Sequence, residues 1–290
     1  MRLIVKFNIV FLAIFLVGLA IAAYVSLDLL RQNARDEVLQ HARIMMESAL
    51  ATRGYTSKQV RPLLETQIKY QFLPQSVPAY AANEQFSDLR KKFTDYDYKE
   101  ATLNPTNPRN RATDWETDVV NQFRQAPDRP EIIGERDTPT GRALYMARPL
   151  QIKDAACLYC HSTVDTAPKT MIELYGPANG FGWKLNEVVG AQIVSVPMTL
   201  PIKRANDTFK VFMISLTGVF AFIFVALNLM LHAIVIRPVT RLSRIADEVS
   251  LGNLEAPEFT SKGKDEIAIL AGSFNRMRTS LVQAMKMLGE

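Results

Sequence analysis

The sequence predicts an α+β fold held between two membrane-spanning helices and followed by a helical module. Two long apolar runs indicate the spanning helices. Between them, a long helical pattern and short stretches rich in β-branched residues, separated by turn signals, indicate a helix beside a small antiparallel sheet. After the second run, apolar residues recur at alternating spacings of three and four, which is typical of packed helices.

The two apolar runs, residues 7–27 and 211–236, contain no Asp, Glu, Lys or Arg. Each reaches the roughly 20 residues that an α-helix needs to cross the core of a bilayer. A buried helix of a soluble domain seldom stays apolar on all faces over this length. Residues 20–22 could imitate a signal-peptidase site, but the first run is longer than the apolar region of a signal peptide. We therefore expect an uncleaved anchor and a second span.

Basic residues beside the runs indicate the orientation. Arg2 and Lys6 precede the first span, and Arg237, Arg241 and Arg244 follow the second. Because cytoplasmic flanks are enriched in Lys and Arg, we expect both termini to be cytoplasmic and the section between the spans to be periplasmic. Basic residues just before the second span weaken this argument. The prediction is a protein of the bacterial inner membrane, in contact with lipid.

Charge and residue types argue against several function classes. The net charge of +5 is spread along the chain, without basic blocks interleaved with aromatic residues, so we expect no nucleic-acid partner. No arrangement of side chains typical of hydrolysis or group transfer stands out. We therefore expect no enzyme and assign no catalytic residue.

The first part of the section between the spans predicts a helix and then irregular structure. Residues 31–61 read as a long helix, because one face is apolar and no proline occurs before Pro62. Residues 70–130 are rich in Pro, Asn, Asp and aromatic residues, which predicts irregular structure.

Strands are predicted after this irregular region. Residues 131–135 and 143–152 form an antiparallel hairpin around a turn at residues 138–141. Pro149 places the second strand at a sheet edge or ends it early, since proline lacks an amide donor. Residues 188–196 form a further strand rich in β-branched residues. A long helix beside such a sheet is the outline of a PAS-like or related α+β sensor module.

The C-terminal section carries an apolar seam that predicts packed helices. The seam residues are Val235, Pro238, Leu242, Ile245 and Val249, followed by Ile267, Leu270, Phe274, Met277, Leu281, Ala284 and Leu288. Gly252-Asn253 ends the first helix, and Asp265-Glu266 places acidic groups at the start of the second. The alternative is that the seam is only the core of a soluble helical hairpin.

The motif Cys157-Leu158-Tyr159-Cys160-His161 is the attachment pattern of a c-type haem. Two thiols about one helical turn apart bond to the porphyrin vinyl groups, and the adjacent imidazole binds the iron. The chain has two cysteines and one such motif, which predicts one haem c per chain. Since c-type attachment takes place outside the bacterial cytoplasmic membrane, the motif also predicts a periplasmic domain.

Other interpretations of the two cysteines compete with haem attachment. A zinc site needs about four ligands, and His41 and His232 are the remaining histidines, with His232 inside the second apolar run. A thioredoxin-like pair normally lies near a βαβ pattern, which the sequence lacks. A disulfide across two intervening residues closes a small and geometrically demanding ring.

The second axial ligand of the predicted haem stays open. His41 lies on the predicted long helix and is a possible distal iron ligand, although a lone helical histidine is more often solvated or satisfied in the core. Thioether ligands are the alternative, but methionines usually fill the core; the candidates are Met45, Met46, Met146 and Met171. An open or water-bound site is a third possibility.

The C-terminal section resembles a HAMP domain, the signal-relay module that follows the last span of many bacterial receptors. The resemblance covers residues 234–284 and is carried by Pro238-Val239-Thr240-Arg241-Leu242, Gly252-Asn253-Leu254, Asp265-Glu266-Ile267 and Phe274-Asn275-Arg276-Met277. HAMP domains form parallel four-helix bundles in homodimers, so this resemblance implies a homodimer.

The section between the spans resembles the PAS-like c-type haem sensor family that often precedes HAMP domains. Besides the cysteine motif, the resemblance is carried by Ala42-Arg43, Arg53-Gly54-Tyr55-Thr56, Pro74-Gln75-Ser76-Val77-Pro78-Ala79, Ala101-Thr102-Leu103-Asn104-Pro105, Asn107-Pro108, Trp115-Glu116, Tyr175-Gly176 and Gly180-Phe181-Gly182-Trp183-Lys184. Some relatives use a cysteine of the N-terminal helix as second axial ligand. This chain has no cysteine to spare, so that ligand is not carried over.

Together these patterns predict a membrane-anchored haem sensor that detects redox state or a small diatomic gas and relays it through HAMP. Residues 1–30 are the anchor, 31–207 the sensor domain, 208–236 the second span and 237–290 the HAMP domain. Because no kinase or cyclase follows the seam, we expect either that a separate cytoplasmic signalling partner reads the HAMP bundle or that the HAMP domain is a dimerisation device, which would favour the rival hypothesis. The rival hypothesis is a tethered monohaem cytochrome that passes electrons to a membrane complex.

Overall fold

The computed structural model describes residues 3–253, 255–260 and 263–288. The chain divides into two compact units, one of Ser26–Phe209 and one of Met1–Val25 with Lys210–Glu290. Three residues used in the predictions lie wholly or partly outside this description. They are Arg2, used for the membrane orientation, Leu254, used for the HAMP resemblance, and the side chain of the seam residue Leu288.

The described chain combines helices with one antiparallel sheet, which confirms the predicted mixed class. The helices are α1 (Leu3–Tyr55), α2 (Arg61–Ile68), α3 (Pro78–Arg90), α4 (Asp114–Gln125), α5 (Leu158–His161), α6 (Lys169–Tyr175), α7 (Thr199–Leu231), α8 (Arg237–Ser250) and α9 (Glu266–Leu288). The strands are β1 (Asp97–Thr102), β2 (Ile132–Thr138), β3 (Gly141–Gln151) and β4 (Val188–Pro197), in the sheet order β1-β4-β3-β2.

The predicted long N-terminal helix is confirmed as α1, but its predicted end near residue 61 is wrong. A π-turn at Thr56–Val60 leads directly into α2. Pro62 lies in the first turn of α2 and cannot donate an amide to the preceding turn, so the π-turn lies where the regular helical hydrogen bonding is interrupted. A single π-turn of this kind is often found beside functional sites.

The predicted hairpin is confirmed as β2 and β3, and the last predicted strand is confirmed as β4. Strand β3 is an inner strand that continues to Gln151, so the edge position inferred from Pro149 is wrong for the strand as a whole. The pairing of β2 with β3 stops at Ala147. Pro149 therefore lies where the strand has only β4 as a neighbour, and there proline is tolerated.

The prediction of irregular structure over residues 70–130 is wrong, because α3, β1 and α4 lie in this region. Helix α4 begins with a capping box, in which the Thr113 amide donates to Glu116 Oε2 at 2.8 Å. This Thr-x-x-Glu pattern is a local helix signal that the Pro-rich and aromatic composition concealed. Strand β1 has no such local signal, since it reads Asp-Tyr-Lys-Glu-Ala-Thr.

The two faces of the sheet are covered by different helices, because side chains alternate along each strand. On one face, Leu144, Met146 and Val194 pack against α1 and α3. On the other, Ala147 and Ile193 pack against α4. The sheet therefore separates two cores, and α1 is fixed along one of them.

In the other unit, two helical stretches are long and apolar enough to cross a membrane. The first lies within Ile4–Ile68 and the second within Thr199–Ser250, and the most apolar windows of both are 0% buried. The rings of Phe11 and Phe224 lie 5.7 Å apart, so the two apolar stretches contact each other.

Helices α8 and α9 pack through a small core that includes part of the predicted seam. Leu242, Ile245 and Val249 are buried against Ala271 and against Phe259 of the connector. The Asn275 side chain binds both the amide and the carbonyl of Phe259, at 3.3 and 2.9 Å. The seam residues Leu270, Met277 and Leu281 are 48%, 61% and 44% exposed.

Candidate functional site

The cysteine motif lies on the connection between β3 and β4. A 3-10 turn at Ala155–Cys157 leads into α5, and the Asp154 carboxylate starts this turn by accepting the Ala156 amide at 2.8 Å. Cys157 and Cys160 are both half-buried free thiols. Because Cys160 follows Cys157 by three positions along one helical turn, both thiols lie on the same side of it. Burial raises the pKa of the Cys160 thiol.

His161 is held in one orientation by the segment that follows α6. Its Nδ1 atom lies 2.7 Å from the carbonyl oxygen of Gly180. Since a carbonyl can only accept, Nδ1 carries the proton and the lone pair is on Nε2. The ring also stacks on Trp183, with centroids 3.9 Å apart. Burial lowers the pKa of His161, so the neutral ring is favoured.

The segment around Gly180 is tied to both β1 and the motif. The Asn104 side chain, just beyond β1, accepts the Gly180 amide at 3.2 Å and donates to the Phe181 carbonyl at 3.3 Å. The Gly182 amide donates to Ser162 at 2.8 Å, and the Trp183 amide donates to His161 at 3.2 Å. The backbone on both sides of the imidazole is thus fixed.

Helices α1 and α2 bring cationic side chains close to the motif. The Arg53 guanidinium lies near enough to Cys157 for the thiolate charge to favour its charged form. The Arg61 charge acts to lower the pKa of the Cys160 thiol, against the larger effect of burial. Helix α6 is attached to α2, because Thr170 donates to the Ile68 carbonyl at 2.9 Å. Sequence reasoning assigned Arg61 no role, because nothing local shows that it lies near Cys160, 99 positions later.

Apolar side chains on the elements around the motif are exposed. Leu63 of α2, Tyr159 of α5 and Leu174 of α6 are 78%, 59% and 54% exposed. Exposed apolar groups beside two free thiols and an oriented imidazole fit a large apolar cofactor that bonds to thiols and offers a metal to the imidazole. Such a neutral histidine, with Nδ1–H on a backbone carbonyl, is a common metal-ligand arrangement.

The structure does not bring His41 to the motif. His41 lies on α1 twelve residues before Arg53, which corresponds to about 18 Å along the helix axis. The residues around it, Met45 and Met46, are buried against the sheet together with Met146. These three methionines therefore occupy the core. Met171 is buried on α6.

The alternatives to haem attachment find little support in the geometry. Among the described residues, no three His, Cys, Asp or Glu side chains converge as a metal site, so zinc would lack further protein ligands. The motif connects antiparallel strands, whereas a thioredoxin-like pair normally lies near a βαβ unit.

Comparisons with known proteins agree with both sequence resemblances. Residues 31–197 match the Tll0287-like family, and residues 230–283 match the HAMP domain. No curated protein matches the chain. The crystal structure of the cyanobacterial haem protein Tll0287 aligns with 56% of this chain and 95% of its own, at 18% identity and a TM-score of 0.43.

The two matches determine how the chain is classified. The Tll0287-like match covers more than half of the chain. Two apolar helices together with a HAMP domain fit an inner-membrane protein with two spans. The chain therefore belongs to the Tll0287-like family and carries a HAMP signal-transduction domain after its second apolar helix.

Proposed function

We propose that this protein is a membrane-anchored c-type haem sensor that responds to redox state or to a small diatomic gas in the periplasm. Cys157 and Cys160 would bond covalently to one haem, and His161 would bind its iron. The observation that carries the proposal is the imidazole of His161, whose Nδ1 is held by the Gly180 carbonyl so that Nε2 is left for a metal, beside two free thiols. The cyanobacterial protein Tll0287 is described as a haem protein, which is consistent with this proposal.

The chain's own residues prepare the site for this role. The Gly180 carbonyl and the Trp183 ring hold the imidazole in one orientation, so no ordering of the ring has to accompany iron binding. Burial lowers the pKa of His161, which favours the neutral form that binds metals. A bound haem would supply an iron that changes its oxidation state or takes up a diatomic gas.

Signal relay would run along the helices that leave the sensor domain. Helix α1 carries both Arg53 and the first apolar stretch, and α8 follows α7 after a π-turn at His232–Ile236. A signal shifts such a system only if it favours one of two helix arrangements. The exposed seam on α9 supports a homodimer, in which the seam would pack against the second protomer. A separate cytoplasmic partner would then recognise the α9 helices of this dimer.

The test is covalent haem attachment in the full chain. The protein is produced in a host competent in cytochrome c maturation and run on a denaturing gel, which is stained for haem peroxidase activity. We expect a stained band that is lost in the Cys157→Ala, Cys160→Ala double variant. A wild-type band without stain would refute the proposal.

The rival function is electron transfer to a membrane complex. The 59% exposure of Tyr159, between the two cysteines, favours it because the motif stays within reach of a redox partner. Carbon monoxide or nitric oxide added to the reduced protein separates the two functions. A spectral change supports gas sensing, whereas indifference to gas with rapid reduction by a quinol or a cytochrome supports electron transfer.

A further inference from the structure

A buried polar network joins the last turn of α1 to β1. The Glu100 side chain, in a residue 1% exposed, forms an ion pair with Arg53. The Tyr98 hydroxyl donates to Glu100 Oε1 at 2.8 Å, and Gln192 donates to the Tyr98 oxygen at 3.1 Å. A buried carboxylate is costly unless its charge and lone pairs are satisfied, and here both are.

The surroundings of Arg53 and Tyr98 shift the pKa values of both groups upward. Burial opposes the charged form of Arg53, but Glu100 and other nearby groups outweigh it, so the pKa of Arg53 is raised. Burial and the Glu100 charge raise the pKa of Tyr98, which stays a hydrogen-bond donor. The ion pair therefore places a cationic and an anionic side chain next to each other inside the domain.

Two sets of contacts connect the network to the proposed haem attachment site. Along the first, Arg53 is close enough to interact electrostatically with Cys157. Along the second, Asn104 follows Glu100 by four residues and binds Gly180, whose carbonyl orients His161. The network is thus connected to the motif through Arg53 on α1 and through Asn104, which follows the Glu100 strand β1.

We propose that Arg53 and Glu100 are positioning residues that set the reduction potential of the attached haem, with Glu100 offsetting the charge that Arg53 brings to Cys157. This inference rests on the proposed function. A nearby positive charge favours the ferrous state, which has one positive charge less than the ferric state, and a negative charge favours the ferric state. Both effects increase as burial reduces screening, and Glu100 is buried.

The decisive variant is Glu100→Gln in the full chain. Because Arg53 cannot lose its proton, removal of the carboxylate leaves an uncompensated positive charge near Cys157. We expect the midpoint potential to rise. It is measured for the one-electron ferric-to-ferrous couple by spectroelectrochemical titration in detergent, with dithionite as reductant and ferricyanide as oxidant.

Three further variants separate an electrostatic role from a structural one. In the Arg53→Gln, Glu100→Gln double variant both charges are gone, so the potential returns toward the wild-type value. Glu100→Asp keeps the charge and stays near wild type. The control is Glu135→Gln, which removes a carboxylate that bridges Arg35 and Arg142. Because Arg35 lies about 27 Å along α1 from Arg53, this variant should leave the potential unchanged.

The outcomes distinguish this inference from the proposed function. A haem-containing wild type whose potential is not raised by Glu100→Gln, or is raised equally by Glu135→Gln, overturns the inference alone. A wild type without covalent haem overturns both. If Glu100→Gln does not fold, two double variants are compared instead. The inference requires the midpoint potential of Arg53→Lys, Glu100→Gln to exceed that of Arg53→Gln, Glu100→Gln, and equal potentials overturn it.

Discussion

His161 Nδ1 lies 2.7 Å from the carbonyl oxygen of Gly180, a residue 19 positions later whose φ is +85°. The imidazole is therefore oriented by a backbone conformation that side chains rarely tolerate. A Cβ atom at Gly180 would also collide with Thr106, whose Cα atom would be 2.9 Å away. Glycine is needed here both for its φ and for the space around it.

Gly180→Ala is expected to destabilise the sensor domain more than Gly182→Ala. Both glycines have positive φ, but nothing lies within 4 Å of a Cβ at Gly182. The control variant should lose about 1 kcal/mol from backbone strain, and the Gly180 variant should lose more because Thr106 must move. Thermal unfolding of the full chain in detergent measures the difference. Equal losses would show that the contact with Thr106 does not matter.

His161→Ala and His41→Ala test which histidine binds the iron. Removing His161 should change the absorption spectrum of the covalently attached haem, because its iron loses the adjacent ligand. Removing His41 should leave the spectrum unchanged, since His41 lies about 18 Å along α1 from the level of Arg53. A spectral change in the His41 variant that matches the loss of an axial ligand would contradict the observed position of His41.

Glu116→Ala is expected to lower the stability of the sensor domain by about 1–3 kcal/mol. The buried carboxylate accepts the Thr113 amide at 2.8 Å and pairs with Lys99 at 2.7 Å, so its loss opens the capping box and leaves a half-buried ammonium group. The control is Asp114→Ala, an exposed acidic residue of the same helical turn, which should cost at most about 1 kcal/mol. Denaturant titration compares the two, and an equal effect would argue against the buried pair.

Met277→Glu is expected to weaken the proposed homodimer at least tenfold, about 1.4 kcal/mol. Met277 is a seam residue that is 61% exposed in the single chain, and a charge there would be buried by a facing helix. Ile269, which is 65% exposed and outside the seam, provides the control Ile269→Glu. Light scattering of the full chain in detergent over a concentration series measures both. A dimer that tolerates Glu at position 277 would place the interface elsewhere.

Local patterns account for the features that were predicted correctly. The apolar runs, the hairpin of β2 and β3 and the seam of α8 and α9 each depend on residues close together in the chain. Where composition misled, as in α4, a local capping signal was still present at Thr113 and Glu116. Strand β1 could not be predicted in this way, because the buried Glu100 has its charge partner, Arg53, 47 residues earlier in the chain.

The sequence by itself determined the chemistry that the motif can offer, since Cys157, Cys160 and His161 are neighbours in the chain and one helical turn brings them together. It also determined the two apolar stretches and the mixed fold class. The tertiary structure alone decided which atoms meet His161, because Gly180 and Thr106 lie 19 and 55 positions away. It likewise decided that Arg53 lies near the motif and His41 does not. Which part of α1 reaches the motif depends on how this long helix packs on the sheet.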